Sequence, residues 1–154
     1  MNDSTKRARY GRIRDQLEKL FKGCSDPHAR MASISALLHH KMKGFFWTGF
    51  YLIKEGELIV SSYQGPLACM QLEKNKGVCW AGINTGKPVI VPDVEKFPGH
   101  IACDSRSKSE IVVPLRTENG EIIGVLDVDS TNLDNFDSID AEELTRITNL
   151  VFNI

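Results

Sequence analysis

Residues 109–130, SEIVVPLRTENGEIIGVLDVDS, constrain the fold more than any other stretch of the chain. Two apolar, alternating runs flank Asn119-Gly120, a dipeptide favoured at the two-residue type I′ turn because both central positions there need positive φ. With Asn119 and Gly120 at the tip, Glu110 lies opposite Asp129, and Val112 opposite Asp127. Side chains alternate along a strand, so Glu110, Asp127 and Asp129 share one face while Ile111, Val113, Leu126 and Val128 take the other. One face therefore belongs to a core and the other carries three carboxylates. Like charges directly opposite each other are destabilising, which calls for a proton, a cation or a metal among them. Such a cluster is a candidate functional site.

The remaining elements set this hairpin in a single α+β domain spanning 1–154. Tyr10, Ile13, Leu17, Leu20 and Phe21 recur at helical spacing, and that first helix ends near Gly23. Ser25-Asp26-Pro27 opens a second helix through Met31, Ile34, Leu37 and Leu38, with a capping side chain followed by a proline that needs no N–H partner. FFWTGFYLI (45–53) and LIVSSY (58–63) form an earlier hairpin about Lys54-Glu55-Gly56-Glu57. A short helix starts near Gly77, and PVIVPDV (88–94) reads as a strand. A last helix follows Asp137-Ser138 with Leu144, Ile147 and Val151 on one face. The division is N-terminal helices over 4–43, sheet and loops over 44–130, and a C-terminal helix over 138–153. Hairpins between helices predict an antiparallel sheet flanked by helices.

Charge and composition narrow the function classes. With 19 basic against 20 acidic residues the net charge is -1, so nothing favours nucleic acid, which needs a concentrated cationic surface. The one basic cluster, Lys6, Arg7, Arg9, Arg12 and Arg14, reads as a solvated helix face. No apolar run reaches the roughly 20 residues of a membrane span, and MNDSTKRARYGR lacks the apolar stretch of a secretory signal. A reducing cytoplasm is the expected setting.

In such a setting four cysteines do not suggest a structural disulfide set. Cys69, Cys79 and Cys103 also lack the closely spaced pairs of a structural zinc site. His100 and Cys103, with Cys69 or Cys79, are the alternative ligand set, and the expectation is no metal and no cofactor. Cys24, at a helix end, reads as a small, partly buried side chain. Cys79 follows Gly77 near a helix N-terminus, whose dipole favours a thiolate. Cys103 sits in the long loop EKFPGHIACDSRSK, three residues after His100, and loops of that length are often functional. The residues alone leave open which thiol is the better nucleophile.

The segments GPLAC (65–69), KGVC (76–79), FPGHIACDS (97–105), SEIVVPL (109–115) and GVLDVDS (124–130) resemble the free methionine-(R)-sulfoxide reductases, enzymes built on a GAF domain. The likeness runs from about Phe46 to the last helix, with Trp80 after Cys79 where a smaller residue is expected. It implies Cys103 as nucleophile, Cys69 as main resolving thiol and Cys79 as auxiliary partner. It also implies free methionine sulfoxide as substrate, thioredoxin as reductant, substrate contacts at Glu110, Asp127 and Asp129, and a homodimer. The chemistry agrees: sulfoxide oxygen leaves poorly until protonated, and clustered carboxylates raise one another's pKa and hold a proton. Trp47 and Tyr51, on one strand face, are candidates to enclose the thioether methyl, or equally for ordinary core. The alternative functions are a non-enzymatic GAF sensor of a small ligand and a thiol redox switch.

Overall fold

The computed structural model describes residues 1–100 and 103–153, which leaves Ile101 and Ala102 of the HIACDS motif outside it. Helices α1 (Asp3–Phe21) and α2 (Pro27–Lys41) precede the hairpin β1 (Trp47–Lys54) and β2 (Glu57–Gln64). Then come the two-residue β3 (Gln71–Leu72), α3 (Gly77–Thr85), β4 (Val89–Val91) and a single 3-10 turn at Val94–Lys96. The second hairpin, β5 (Ser109–Arg116) and β6 (Ile122–Ser130), and α4 (Ser138–Asn149) complete the order. All six strands form one antiparallel sheet, β3-β2-β1-β6-β5-β4. Among the described residues no helix is long and apolar enough to cross a membrane.

The helix ends follow the expected chemistry. Asp26 caps α2 by accepting from the Ala29 N–H at 2.9 Å, with Pro27 in the first turn. Asp137 and Asp140 form a reciprocal capping box at the start of α4. The basic cluster of α1 is not simply solvated. Lys6 pairs with Asp137 and Asp140, and Arg7 and Arg14 reach Glu142 and Glu143, so three of the five cations fasten α1 to α4. Tyr10 donates to the buried Asp140 at 2.5 Å in the same network. Arg30, also buried, donates to the carbonyls of Phe21 and Val151 at 3.0 and 3.2 Å, satisfying the ends of two helices.

The sheet buries both faces. On one, Phe50, Ile111, Val113, Leu115, Leu126 and Val128 pack against the apolar stripes of α1, α2 and α4. Each such side chain contributes about 1.5–3 kcal/mol by leaving water, so this is the layer that holds the domain together. On the other face a smaller cluster of Trp47, Tyr51, Val112 and Val125 lies under α3 and the loops. This second layer is where polar residues interrupt the core.

The second hairpin keeps the expected pairing but not the expected turn. Glu110 pairs with Asp129 and Val112 with Asp127. At the tip, however, the Gly120 N–H returns to the Thr117 carbonyl at 2.9 Å, and Gly120 but not Asn119 has positive φ. That is a three-residue loop with glycine in the left-handed position rather than a type I′ turn. A bulge at Leu115/Arg116 then shifts the ladder back by one residue. The two irregularities cancel along the strands. The first hairpin does use a two-residue turn, with Glu55 and Gly56 at φ 51° and 80°.

Candidate active site

The inner face of the sheet and two loops enclose one pocket. Its floor is Trp47, Tyr51, Glu110, Asp127 and Asp129, one wall is Gly77–Cys79 at the start of α3, and its mouth carries Cys103, Asp104 and His100. Every substrate-contact residue expected from the sequence, and both Cys79 and Cys103, line this space. Cys69 stands at its edge, joined to Cys103 in a disulfide with Cα atoms 5.5 Å apart.

Local sequence explains the placement. Asp127 lies across the β1–β6 ladder from Gly49, and Asp129 from Trp47. A Cβ on Gly49 would come within 2.8 Å of the Trp47 ring, so glycine lets that ring lie over the sheet. Trp47 stacks on Tyr51 with centroids 5.7 Å apart and on Tyr63 at 5.1 Å. Gly65 of the GPLAC segment takes φ 122°, and a Cβ there would meet the Phe46 carbonyl oxygen at 2.7 Å. The strand can thus turn sharply towards Cys69. Tyr51 then donates to the Cys69 carbonyl at 3.0 Å, tying the loop to the pocket floor. Trp80 is buried in the smaller cluster and does not line the pocket, so the unexpected tryptophan leaves its shape intact.

Electrostatically the pocket gathers three acids, while its lining lysine, Lys76, is exposed and paired with Glu73. Burial, then the neighbouring Asp129, pushes the Glu110 carboxyl up to about 8. Burial and Glu110 drive Asp127 well above the usual carboxylate range, with a hydrogen bond from Cys79 offsetting part of the rise. Asp129 rises through burial and the charges of Asp127 and Asp104. The Asp127 Oδ1 atom is buried with no hydrogen-bond partner. His100 Nε2 lies 3.6 Å from Glu110, but burial lowers its pKa and keeps the imidazole neutral near pH 7. Burial and mutual repulsion therefore favour a proton on at least one of the three acids, Glu110 foremost, near neutral pH.

Two expectations about thiols are corrected. Cys79 does sit in the first turn of α3, yet burial and the three carboxylates raise its pKa well above the ordinary value, so the helix dipole does not produce a thiolate. Cys24 is exposed rather than partly buried, because the turn after α1 leaves it outside the core. Sequence reasoning also missed an outer rim. Arg106 grips Asp104 through two bonds of 3.0 and 2.7 Å, which hold the Asp104 carboxyl well below the usual range. The same guanidinium lies 4.8 Å from the centre of the Phe46 ring at the pocket edge. The D-x-R spacing of Asp104 and Arg106 was the available signal.

These features place a cysteine pair over an acidic pocket on a sheet-and-helix scaffold, and the chain as a whole is similar to known proteins. A family model described as a GAF domain matches residues 26–153. GAF domain-containing protein A of Dictyostelium discoideum is 47% identical over 154 residues, covering 99% of this chain and 96% of that one. The free methionine-R-sulfoxide reductase of Saccharomyces cerevisiae is 38% identical over 150 residues, 90% of this chain and 83% of the relative. The crystal structure of the Neisseria meningitidis free methionine-R-sulfoxide reductase in complex with its substrate superposes with a TM-score of 0.90 at 40% identity. It covers 98% of this chain and 89% of that one. The chain belongs to the GAF-domain family and, within it, to the free methionine-R-sulfoxide reductases.

Proposed function

We propose that the protein reduces free methionine (R)-sulfoxide to methionine, with Cys103 as nucleophile and Cys69 as resolving thiol. The observation that carries this reading is the Cys69–Cys103 disulfide at the mouth of a pocket floored by Glu110, Asp127 and Asp129. In the reduced protein the Cys103 thiolate attacks the sulfoxide sulfur while a protonated carboxyl, Glu110 foremost, gives its proton to the sulfoxide oxygen. The protonated oxygen then transfers from the substrate sulfur to Cys103 as the new sulfur–sulfur bond breaks. Methionine departs as the thioether with that bonding pair, and Cys103 is left as a sulfenic acid. Cys69 then attacks that sulfur and expels water, which forms the disulfide. A thioredoxin-type dithiol returns both cysteines to thiols by exchange.

Trp47 and Tyr51 supply the apolar wall for the thioether methyl, and the remaining carboxylate charge pairs with the substrate ammonium. Cys79, buried in the pocket wall, is the auxiliary thiol, a lesser partner for the Cys103 sulfenic acid than Cys69. The reading places the protein in a reducing cytoplasm, where thioredoxin is available, and as a homodimer. Supplying free methionine sulfoxide, thioredoxin, its reductase and NADPH tests it: NADPH oxidation that requires the sulfoxide supports the reductase. A closed disulfide without turnover would leave a redox switch, and ligand binding without thiol oxidation a sensor.

A further inference from the structure

Within the pocket, three side chains from three elements form a tighter group than substrate binding alone requires. Cys79 Sγ from α3, a Glu110 carboxylate oxygen from β5 and an Asp127 carboxylate oxygen from β6 all lie within 4.8 Å of one another. All three residues are buried. Asp127 also keeps a buried Oδ1 atom with no hydrogen-bond partner. His100 Nε2, 3.6 Å from Glu110 Oε2, lies outside the triangle and would have to swing inward to supply a fourth ligand. An ammonium group can satisfy the carboxylates, but it gains nothing from sulfur.

One sulfur, two carboxylate oxygens and an imidazole match a different cation. Mg²⁺ and Ca²⁺ prefer oxygen alone, whereas Zn²⁺ takes thiolate, imidazole and carboxylate in a four-coordinate shell. Bonds of about 2.0–2.3 Å span a triangle of this size after small side-chain rotations. The ion would displace the thiol and carboxyl protons and cancel most of the repulsion among the acids. The ligand set is not legible from cysteine spacing, because only one of the four donors is a cysteine and the sheet brings the others to it.

We propose that Cys79, Glu110 and Asp127, with His100, form a binding site for a soft divalent cation of the zinc class. Because the site overlaps the place assigned to the substrate ammonium, the bound ion excludes free methionine sulfoxide. That exclusion rests on the proposed function; the metal site rests on the ligand geometry alone.

The test uses the oxidised protein, in which Cys69 and Cys103 are bonded together and only Cys24 and Cys79 are free thiols. With Cys24→Ser as the parent, calorimetric titration with Zn²⁺ should show one equivalent bound, and Mg²⁺ should not compete. Co²⁺ in place of zinc should give the thiolate-to-metal charge-transfer absorption of a cysteine ligand in that parent. Cys79→Ala should abolish the band, and Asp127→Asn should weaken zinc binding by at least about tenfold. No zinc binding, cobalt bound without the thiolate band, or undiminished binding in Cys79→Ala overturns the site. Methionine sulfoxide should raise the apparent zinc Kd. Zinc binding that the sulfoxide leaves unchanged sustains the metal site and instead faults the ammonium placement.

Discussion

Glu110 is the direct cross-strand partner of Asp129, and both side chains face a pocket whose lining lysine, Lys76, is exposed and paired with Glu73. Repulsion of this kind on an ordinary solvent face would be relieved by water and salt. Here burial removes that relief, and Glu110 is pushed up to about 8, so it keeps a proton that an ordinary carboxyl would have lost. The arrangement costs stability and leaves a carboxyl that keeps its proton at neutral pH. Its consequences can be measured separately on stability and on rate.

Stability should fall with rising pH across the window between the ordinary carboxylate value of 4.5 and about 8. In that window the folded Glu110 keeps a proton that the unfolded chain has released, so folding is favoured at the acid end. Each such proton tilts stability by about 1.4 kcal/mol per pH unit. Denaturant titration of oxidised Glu110→Gln should therefore match wild type near pH 4.5 and exceed it near pH 8. Equal pH slopes in the two proteins would show that Glu110 titrates normally.

The single-turnover rate follows the same proton. Methionine release should decline as pH rises through about 8, where Glu110 loses its proton. Glu110→Gln should abolish that limb and slow release by about 10²–10⁴-fold, the usual contribution of a positioned acid. Quench-flow measurements on pre-reduced enzyme across pH 6–9 (about the range a carboxyl at this value controls) check both outcomes. A limb that persists in the variant would move the donor role to Asp127 or Asp129.

The two cysteines should separate in time. Cys103→Ser is expected to release no methionine even in one turnover. Cys69→Ser should release up to about one methionine per enzyme and then stall with thioredoxin, because attack precedes resolution. Peptide mapping after oxidation by substrate should join Cys103 to Cys69, while exposed Cys24 is alkylated throughout. Full yield from Cys103→Ser would transfer the nucleophile role to Cys79.

Much of this site was legible before any coordinates. Alternation between apolar and acidic positions from Glu110 to Asp129 fixed which face each residue takes, since a one-residue slip would bury the acids among Ile111 and Val128. That is why the pairing survived a wrong turn type: the strands, not the Asn119-Gly120 tip, determine the register. Burial of Cys79 was not legible, because it depends on α3 packing against Val112 and Val125, far away in sequence. The helix-dipole argument was sound locally and lost to desolvation. The Arg106–Asp104 pair was missed because its partner surface, Phe46, comes from the segment just before β1, far away in sequence.

Gly49 should be the site's shape-determining residue. Gly49→Ala would drive a methyl group into Tyr63 and within 2.8 Å of the Trp47 ring, displacing the stacked aromatics. Overpacking of this kind costs about 1–3 kcal/mol, so the protein should fold with a lowered midpoint. The kinetic loss should appear in KM as well as kcat, because the wall for the thioether methyl moves. An unchanged KM would mean that Trp47 serves the core alone.

The acidic floor also predicts discrimination between the free amino acid and a methionine sulfoxide within a chain. Free methionine sulfoxide brings an α-ammonium to Glu110, Asp127 and Asp129, whereas N-acetyl-methionine sulfoxide brings a neutral amide. Removing one partner of a buried, hydrogen-bonded charge pair costs about 2–5 kcal/mol. At about 1.4 kcal/mol per factor of ten, kcat/KM should fall roughly thirty-fold to several thousand-fold. Glu110 and Asp127 are buried, and Asp127 has an unpaired oxygen, which favours the larger loss. Asp129 is more open at the pocket edge and pulls the other way. Steady-state assays with one epimer, the same thioredoxin system and a pH near neutral give the comparison. Equal kcat/KM for the two substrates would mean that the carboxylates do not read the ammonium and serve the sulfoxide oxygen alone.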